Sequence, residues 1–228
     1  MVRGLVWVLV AVSSFACVIG ARKVHEPKGT DPVVIVGSAA LPEPISGIAR
    51  HPWVSLRPGG SEKWERWEVM CCPDGSKFST VKRSSIRPTS DYGGSGGDVR
   101  FHALIRGKRA AKIISCVRKK APTYPQRNEY QGWPGPNSNT FVDWLVRACA
   151  IRTELPAPNI GRNHRGIIGA SWSAGGTGFQ IDTYLFGFKI GLTEGIEIHL
   201  LGLTFGIDLW PPAIIVPVGP GRIGFDDR

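Results

Sequence analysis

Acidic residues are scarce in this chain: 18 Asp and Glu stand against 28 Lys and Arg, a formal net charge of +10 over 228 residues. Such a balance suits nucleic acid, anionic lipid or acidic cell-wall polymer, and charge alone does not choose among them. The basic residues are scattered, and the short clusters at 106–109 and 118–120 fit solvated helix faces. Cysteine is sparse and forms no C-x-x-C pair, and the five histidines (25, 51, 102, 164 and 199) are dispersed. No metal site and no cofactor are expected from that spacing. Past the N-terminus, no run is long and apolar enough for a transmembrane helix. What is abundant is glycine (29) and proline (18), which favour many turns and short strands over long helices. With 42% hydrophobic residues the chain reads as globular, one domain or one domain with an appendage.

The N-terminus sets the expected compartment. Arg3 is followed by an apolar run from Leu5 to Val12, with no charge until Arg22. The run is short for a membrane span. Ser14-Phe15-Ala16 has the small-x-small form that signal peptidase cuts. Residues 1–20 therefore read as a secretory signal, with an uncleaved membrane anchor as the alternative. Cys17 after Ala16 hints at lipoprotein processing, but Ser14 sits where a large aliphatic residue is preferred. The expected location is the periplasm or cell envelope, which sets nucleic acid aside and leaves peptidoglycan or anionic lipid as partners. Cys71, Cys72, Cys116 and Cys149 then permit two disulfides in any of three connectivities. A vicinal Cys71–Cys72 bridge is strained, so a link from one of them to Cys116 or Cys149 is expected. The alternative is four small, buried, reduced residues.

Three segments follow the signal along the chain. After the signal, residues 21–46 form a polar, Pro-interrupted leader whose short apolar run, Val33–Val36, suits an edge strand. Residues 47–158 form an α+β core. Strands are expected at 47–57, 64–71 and 99–105, with Pro52 demanding an edge or a bulge because it has no N–H to donate. Ala110, Ile113, Ile114 and Val117 recur at helical spacing over 108–119. A second helix, about 139–150, carries the stripe Phe141, Trp144, Leu145 and Ala148. Residues 159–228 alternate apolar and polar residues between glycine breaks, the pattern of a C-terminal β-meander. The fold class is α+β: a small antiparallel sheet with two main helices, plus that meander.

The best-placed polar stretch is Trp133-Pro134-Gly135-Pro136-Asn137-Ser138-Asn139-Thr140-Phe141, a Pro/Gly turn feeding the second helix. A helix start presents unpaired N–H groups and the positive dipole end. Ser138 there has the setting of a nucleophile with an oxyanion hole, but a hydroxyl needs a base. The plainer reading is that Asn137, Ser138 or Asn139 caps the helix. His51 is the candidate base, with Glu68 on the next strand to orient it, and His102 competes for that role. Asn137, Asn139, Trp53 and Trp133 are the candidate binding residues around it.

Two resemblances rest on these residues. His51-Pro52-Trp53-Val54 and Asn137-Ser138-Asn139-Thr140-Phe141 resemble the histidine strand and the Asn-Cys-x-x-Phe helix start of circularly permuted papain-like proteins, such as the lecithin-retinol acyltransferase and PPPDE peptidase families. That resemblance implies a groove with Ser138 and His51 meeting in it, although Ser138 stands where those families place cysteine. Over about residues 45–225, the Pro134–Phe141 stretch and Gly202-Leu203-Thr204-Phe205-Gly206-Ile207-Asp208 resemble an exported proteobacterial family of unknown function. Three functional expectations follow. The first is a non-catalytic groove for cell-wall or lipid-derived ligands. The second is a Ser/His amidase, esterase or acyltransferase, and the third an envelope assembly protein.

Overall fold

The computed structural model describes residues 24–71, 79–91 and 98–225. The expected signal, Cys72 and the glycine-rich stretch at 92–97 lie outside those residues.

The first layer is an antiparallel sheet of β1 (Val33–Ala40), β2 (Arg50–Arg57), β3 (Glu65–Cys71), β4 (Ser79–Ser84) and β5 (Arg100–Arg106), in the order β4-β3-β2-β1-β5. The run expected as an edge strand in a leader is the strand between β2 and β5, buried along all its length. Both its faces are covered, which is what a near-continuous apolar run supports. Val34 and Val36 point to the helices, while Val33 and Ile35 pack with Trp64 on the opposite face. The core unit therefore begins near Val33 rather than at 47. Pro52 behaves as its chemistry requires. It faces Ser38 of β1, but β2 meets β3 only over Val54–Leu56, so no ladder partner on that side lacks a donor.

Helix α1 (Gly107–Lys120) buries Ala110, Ile113, Ile114 and Val117, the expected stripe. Helix α2 (Ser138–Ala148) buries Phe141, Val142, Leu145 and Val146, while Trp144 is only partly covered. Both helices lie on one face of the first sheet, against Val54, Leu56, Trp67 and Val69. Full burial of a side chain such as Phe141 contributes about 2–3 kcal/mol. Cys116 of α1 is bonded to Cys149 at the C-cap of α2, with Cα atoms 5.7 Å apart, pinning the helices together. This corrects the expectation that either would link to Cys71 or Cys72, because helix packing brings these two side chains together. Cys71 is also disulfide-bonded.

The second layer is the expected meander: β6 (Ile168–Trp172), β7 (Gly178–Thr183), β8 (Phe186–Gly191), β9 (Gly195–Leu200), β10 (Leu203–Leu209), β11 (Pro212–Ile215) and β12 (Arg222–Gly224), each paired with its sequence neighbour. Its two faces are inverted relative to a soluble sheet. The buried positions of β7–β10 carry Gln180, Asp182, Lys189, Glu197, His199 and Thr204, and the exposed ones are apolar apart from Thr183.

The inner polar groups satisfy one another and the segment before β6. Lys189 Nζ lies 2.9 Å from Glu197 and 3.0 Å from Glu154. Arg162 reaches the same two carboxylates at 2.7 and 3.0 Å. His199 sits between Asp182 and Glu197. Burial pushes the Glu197 carboxyl up, but Arg162, Lys189 and the His199 hydrogen bond outweigh it and hold it well below the usual range. A carboxyl depressed in this way adds stability above its unfolded value, about 4.3, and loses it as pH falls through the folded value. Glu197→Gln leaves the buried Arg162 and Lys189 to share one carboxylate, Glu154, and should cost about 2–3 kcal/mol at neutral pH. Urea unfolding should register that loss, and the variant should show a shallower fall in stability on acidification than the parent.

Candidate functional site

The turn before α2 is held by one side chain. Asn137 is the N-cap: its Oδ1 accepts from the amides of Asn139 (2.9 Å) and Thr140 (3.2 Å), and Thr140 Oγ1 accepts from the Asn137 amide in return. Two orphan helix donors are satisfied by this capping box. Asn137 Nδ2 donates to Gly132 O and Ile160 O, tying the turn and the 156–161 loop to the helix. Gly161 makes the closure possible. It has φ +87°, and a Cβ there would lie 2.5 Å from Asn137 Nδ2. Asn139 adds a second tie, donating to Ile160 O and accepting from Asn159. Both asparagines are thus committed to structure.

Ser138 is left at the first helical position. It is 4% exposed, and its hydroxyl makes no hydrogen bond among the described residues. With Asn137, Asn139 and Trp133 it lines a cavity of about 620 Å³, whose other walls include Leu41, Ile45, Ile48, Ala49, Tyr130, Ile160, Leu203 and Val218. Trp133 is 55% exposed at this wall, with Nε1 donating to Leu201 O. Among the described residues the one charged group in the lining is Arg50, and its guanidinium is engaged with Ser38 and Asp98.

His51, Glu68 and Trp53 are elsewhere. Side chains alternate across a strand. Arg50, Val54 and Leu56 face the helices, so His51, Trp53 and Ser55 face away. Ser55 opposite Arg66 places Arg66 and Glu68 on that same far face. His51 Nε2 is 2.9 Å from Glu68 Oε2, which also meets Arg66 at 3.0 Å. The Arg66 guanidinium stacks 3.7 Å from the Trp53 ring. His51 is 5% exposed and Trp53 fully buried. Burial holds His51 below the ordinary histidine value despite Glu68. Burial also raises Glu68, but the bond from His51 and the charge of Arg66 carry it below the ordinary carboxylate value.

The sheet therefore separates His51 from Ser138, and a nucleophile–base pair between them does not form. Of the expected set, Ser138, Asn137, Asn139 and Trp133 come together, while His51, Glu68 and Trp53 form a closed structural cluster. Sequence reading missed Arg50 and Ser38. Ser38 Oγ lies 2.8 Å from both Arg50 Nε and His102 Nε2, so His102 does meet a serine. Ser38 is fully buried, however, and offers nothing to a substrate. The strand parity that sends His51 away also sends Arg50 toward the groove.

The comparisons with known proteins place this frame. The sequence model of the family described as "Protein of unknown function (DUF3750)" matches residues 32–164, more than half of the chain. The chain belongs to that family. The matched DUF3750 segment runs from just before β1, through both helices, to the loop ahead of β6, and it includes the Pro134–Phe141 stretch. The second motif, at 202–208, falls outside it. No curated protein and no solved structure matches the chain. The papain-like resemblance implied that Ser138 and His51 meet in one groove, and in this DUF3750 member they lie on opposite faces of the first sheet.

Asn137→Ala removes a cap and two loop ties, and should lower stability by about 2 kcal/mol in urea unfolding. Ser138→Ala should stay within about 0.5 kcal/mol of the parent. A fluorophosphonate probe should leave Ser138 unlabelled. Labelling that disappears in both Ser138→Ala and His51→Ala would contradict this geometry.

Proposed function

We propose that this protein is a cell-envelope binding protein that holds a lipid-derived amphiphile in the groove at the start of α2 and does not cleave it. One observation carries the reading: a cavity of about 620 Å³, walled by aliphatic and aromatic side chains, with a single hydroxyl, Ser138, that has no partner among the described residues, near the helix start. Small-molecule pockets have this size and this make-up, with an apolar body and a few polar groups that fix orientation. An acyl chain fits the walls. The hydroxyl and the positive end of α2 suit a polar or anionic head.

Peptidoglycan fits less well. Sugars and peptides need many free donors and acceptors, and here Asn137, Asn139 and Arg50 are already bonded within the protein. Catalysis is disfavoured because a serine hydroxyl needs a base within reach, and His51 lies across the sheet. The envelope location draws support from the N-terminal signal pattern and from the Cys116–Cys149 disulfide, since such bonds persist in oxidising compartments.

Displacement of a fluorescent fatty acid (cis-parinaric acid) tests the reading. The folded protein should bind the probe, and unlabelled fatty acid should compete. Ala49→Trp, which fills the cavity, should abolish binding. Ser138→Ala should weaken it about fivefold, the value of one neutral hydrogen bond. Absence of probe binding, or binding indifferent to Ala49→Trp, would count against the proposal.

A further inference from the structure

Among the described residues, nothing covers the outer face of the second sheet. Across strands β6 to β12 every outward position is apolar, apart from Thr183. Register confirms that these side chains form one surface: Ile181 lies opposite Phe188, Phe188 opposite Ile198, Ile198 opposite Phe205, and Ile207 opposite Ile214. Each of them is more than two-fifths exposed. Seven strands at about 4.8 Å spacing and roughly six residues at about 3.3 Å rise give a face of about 30 by 20 Å. Monomeric soluble proteins rarely leave contiguous patches above a few hundred Å² uncovered. All the buried charge of the sheet lies on the other side.

We propose that this face seats on the surface of an anionic lipid bilayer. Three observations select a bilayer over a second copy of the chain. First, hairpin turns at both ends of the strands carry exposed apolar side chains: Leu185 in the β7–β8 turn is 59% exposed, Leu192 in the β8–β9 turn 86% and Trp210 in the β10–β11 turn 83%. Turns facing water are normally polar. A second sheet stacked on the face would leave these tips in water, whereas a soft apolar medium takes them in.

Second, charge sits where headgroups would be. Trp172, on edge strand β6, lines a hollow of about 420 Å³ together with Arg147 and Arg152. Arg147 is paired with Asp143 at 2.9 Å, whereas Arg152 is exposed and makes no ion pair among the described residues. An indole beside arginines is the side-chain pairing of a membrane–water interface, and the net charge of +10 has the matching sign. Third, the strands have at most seven residues, and spanning a bilayer takes about nine to eleven. The face lies on the membrane and does not cross it.

Co-sedimentation of the full chain with vesicles tests it. The vesicles are phosphatidylcholine alone or mixed with phosphatidylglycerol. The protein should bind the mixed vesicles, and Phe188→Asp with Ile198→Asp should lower that binding on the order of tenfold with circular dichroism unchanged. Arg152→Glu should weaken binding to mixed vesicles more than to neutral ones. If the double variant loses its fold, Leu192→Asp in the exposed β8–β9 turn takes its place in the comparison. Binding that these variants leave unchanged would assign it to another part of the chain and overturn the proposal. So would a wild-type dimer, seen by light scattering, that the variant splits and that does not bind vesicles.

Discussion

Asn137 is the joint of the molecule. One amide group caps α2, fixes the Pro/Gly turn through Gly132 O, and holds the 156–161 loop through Ile160 O. That loop is the start of the passage from the first sheet to the second. A polar side chain can do this under full burial only because all its donors and acceptors are used, since an unmade bond there would cost more than the made ones contribute. The groove follows from the same joint. Ser138 is placed at its wall because Asn137 has already taken the cap.

Beneath the second sheet the stabilising interactions are of a different kind. Lys189, Arg162, Glu197, Glu154, His199 and Asp182 form a closed set of ion pairs and hydrogen bonds in the interior. Buried ion pairs add little net stability but fix geometry, because breaking one leaves an uncompensated charge. The network orients the sheet. With the charges committed inward, strand alternation sends every intervening apolar side chain outward, and the outer face becomes a surface suited to an apolar medium.

Much of the fold was legible in local patterns. The α1 stripe is a matter of helical spacing and was readable residue by residue. The meander showed in its two-residue alternation and glycine breaks, and the lack of a donor at Pro52 correctly marked a place without a second ladder. The candidate site was half legible. Asn137, Ser138, Asn139 and Trp133 are adjacent in the chain, so local reasoning kept them together. His51 and Trp53 were joined to them only by analogy, and that link depends on which face of β2 meets α2.

Element types, the helix stripes and the Asn-Ser-Asn helix start were readable in the chain because each depends on neighbours a few residues apart, and the basic balance because it is a plain sum over residues. Tertiary structure alone decided four things. β1 is interior because β2 and β5 flank it, a non-local pairing. Cys116 joins Cys149 because two helices pack side by side. His51 is parted from Ser138 because a one-residue step along β2 reverses the face. The meander turns its apolar side outward because its charged side found partners in the 151–166 segment, and alternation in sequence is symmetric with respect to which side that will be.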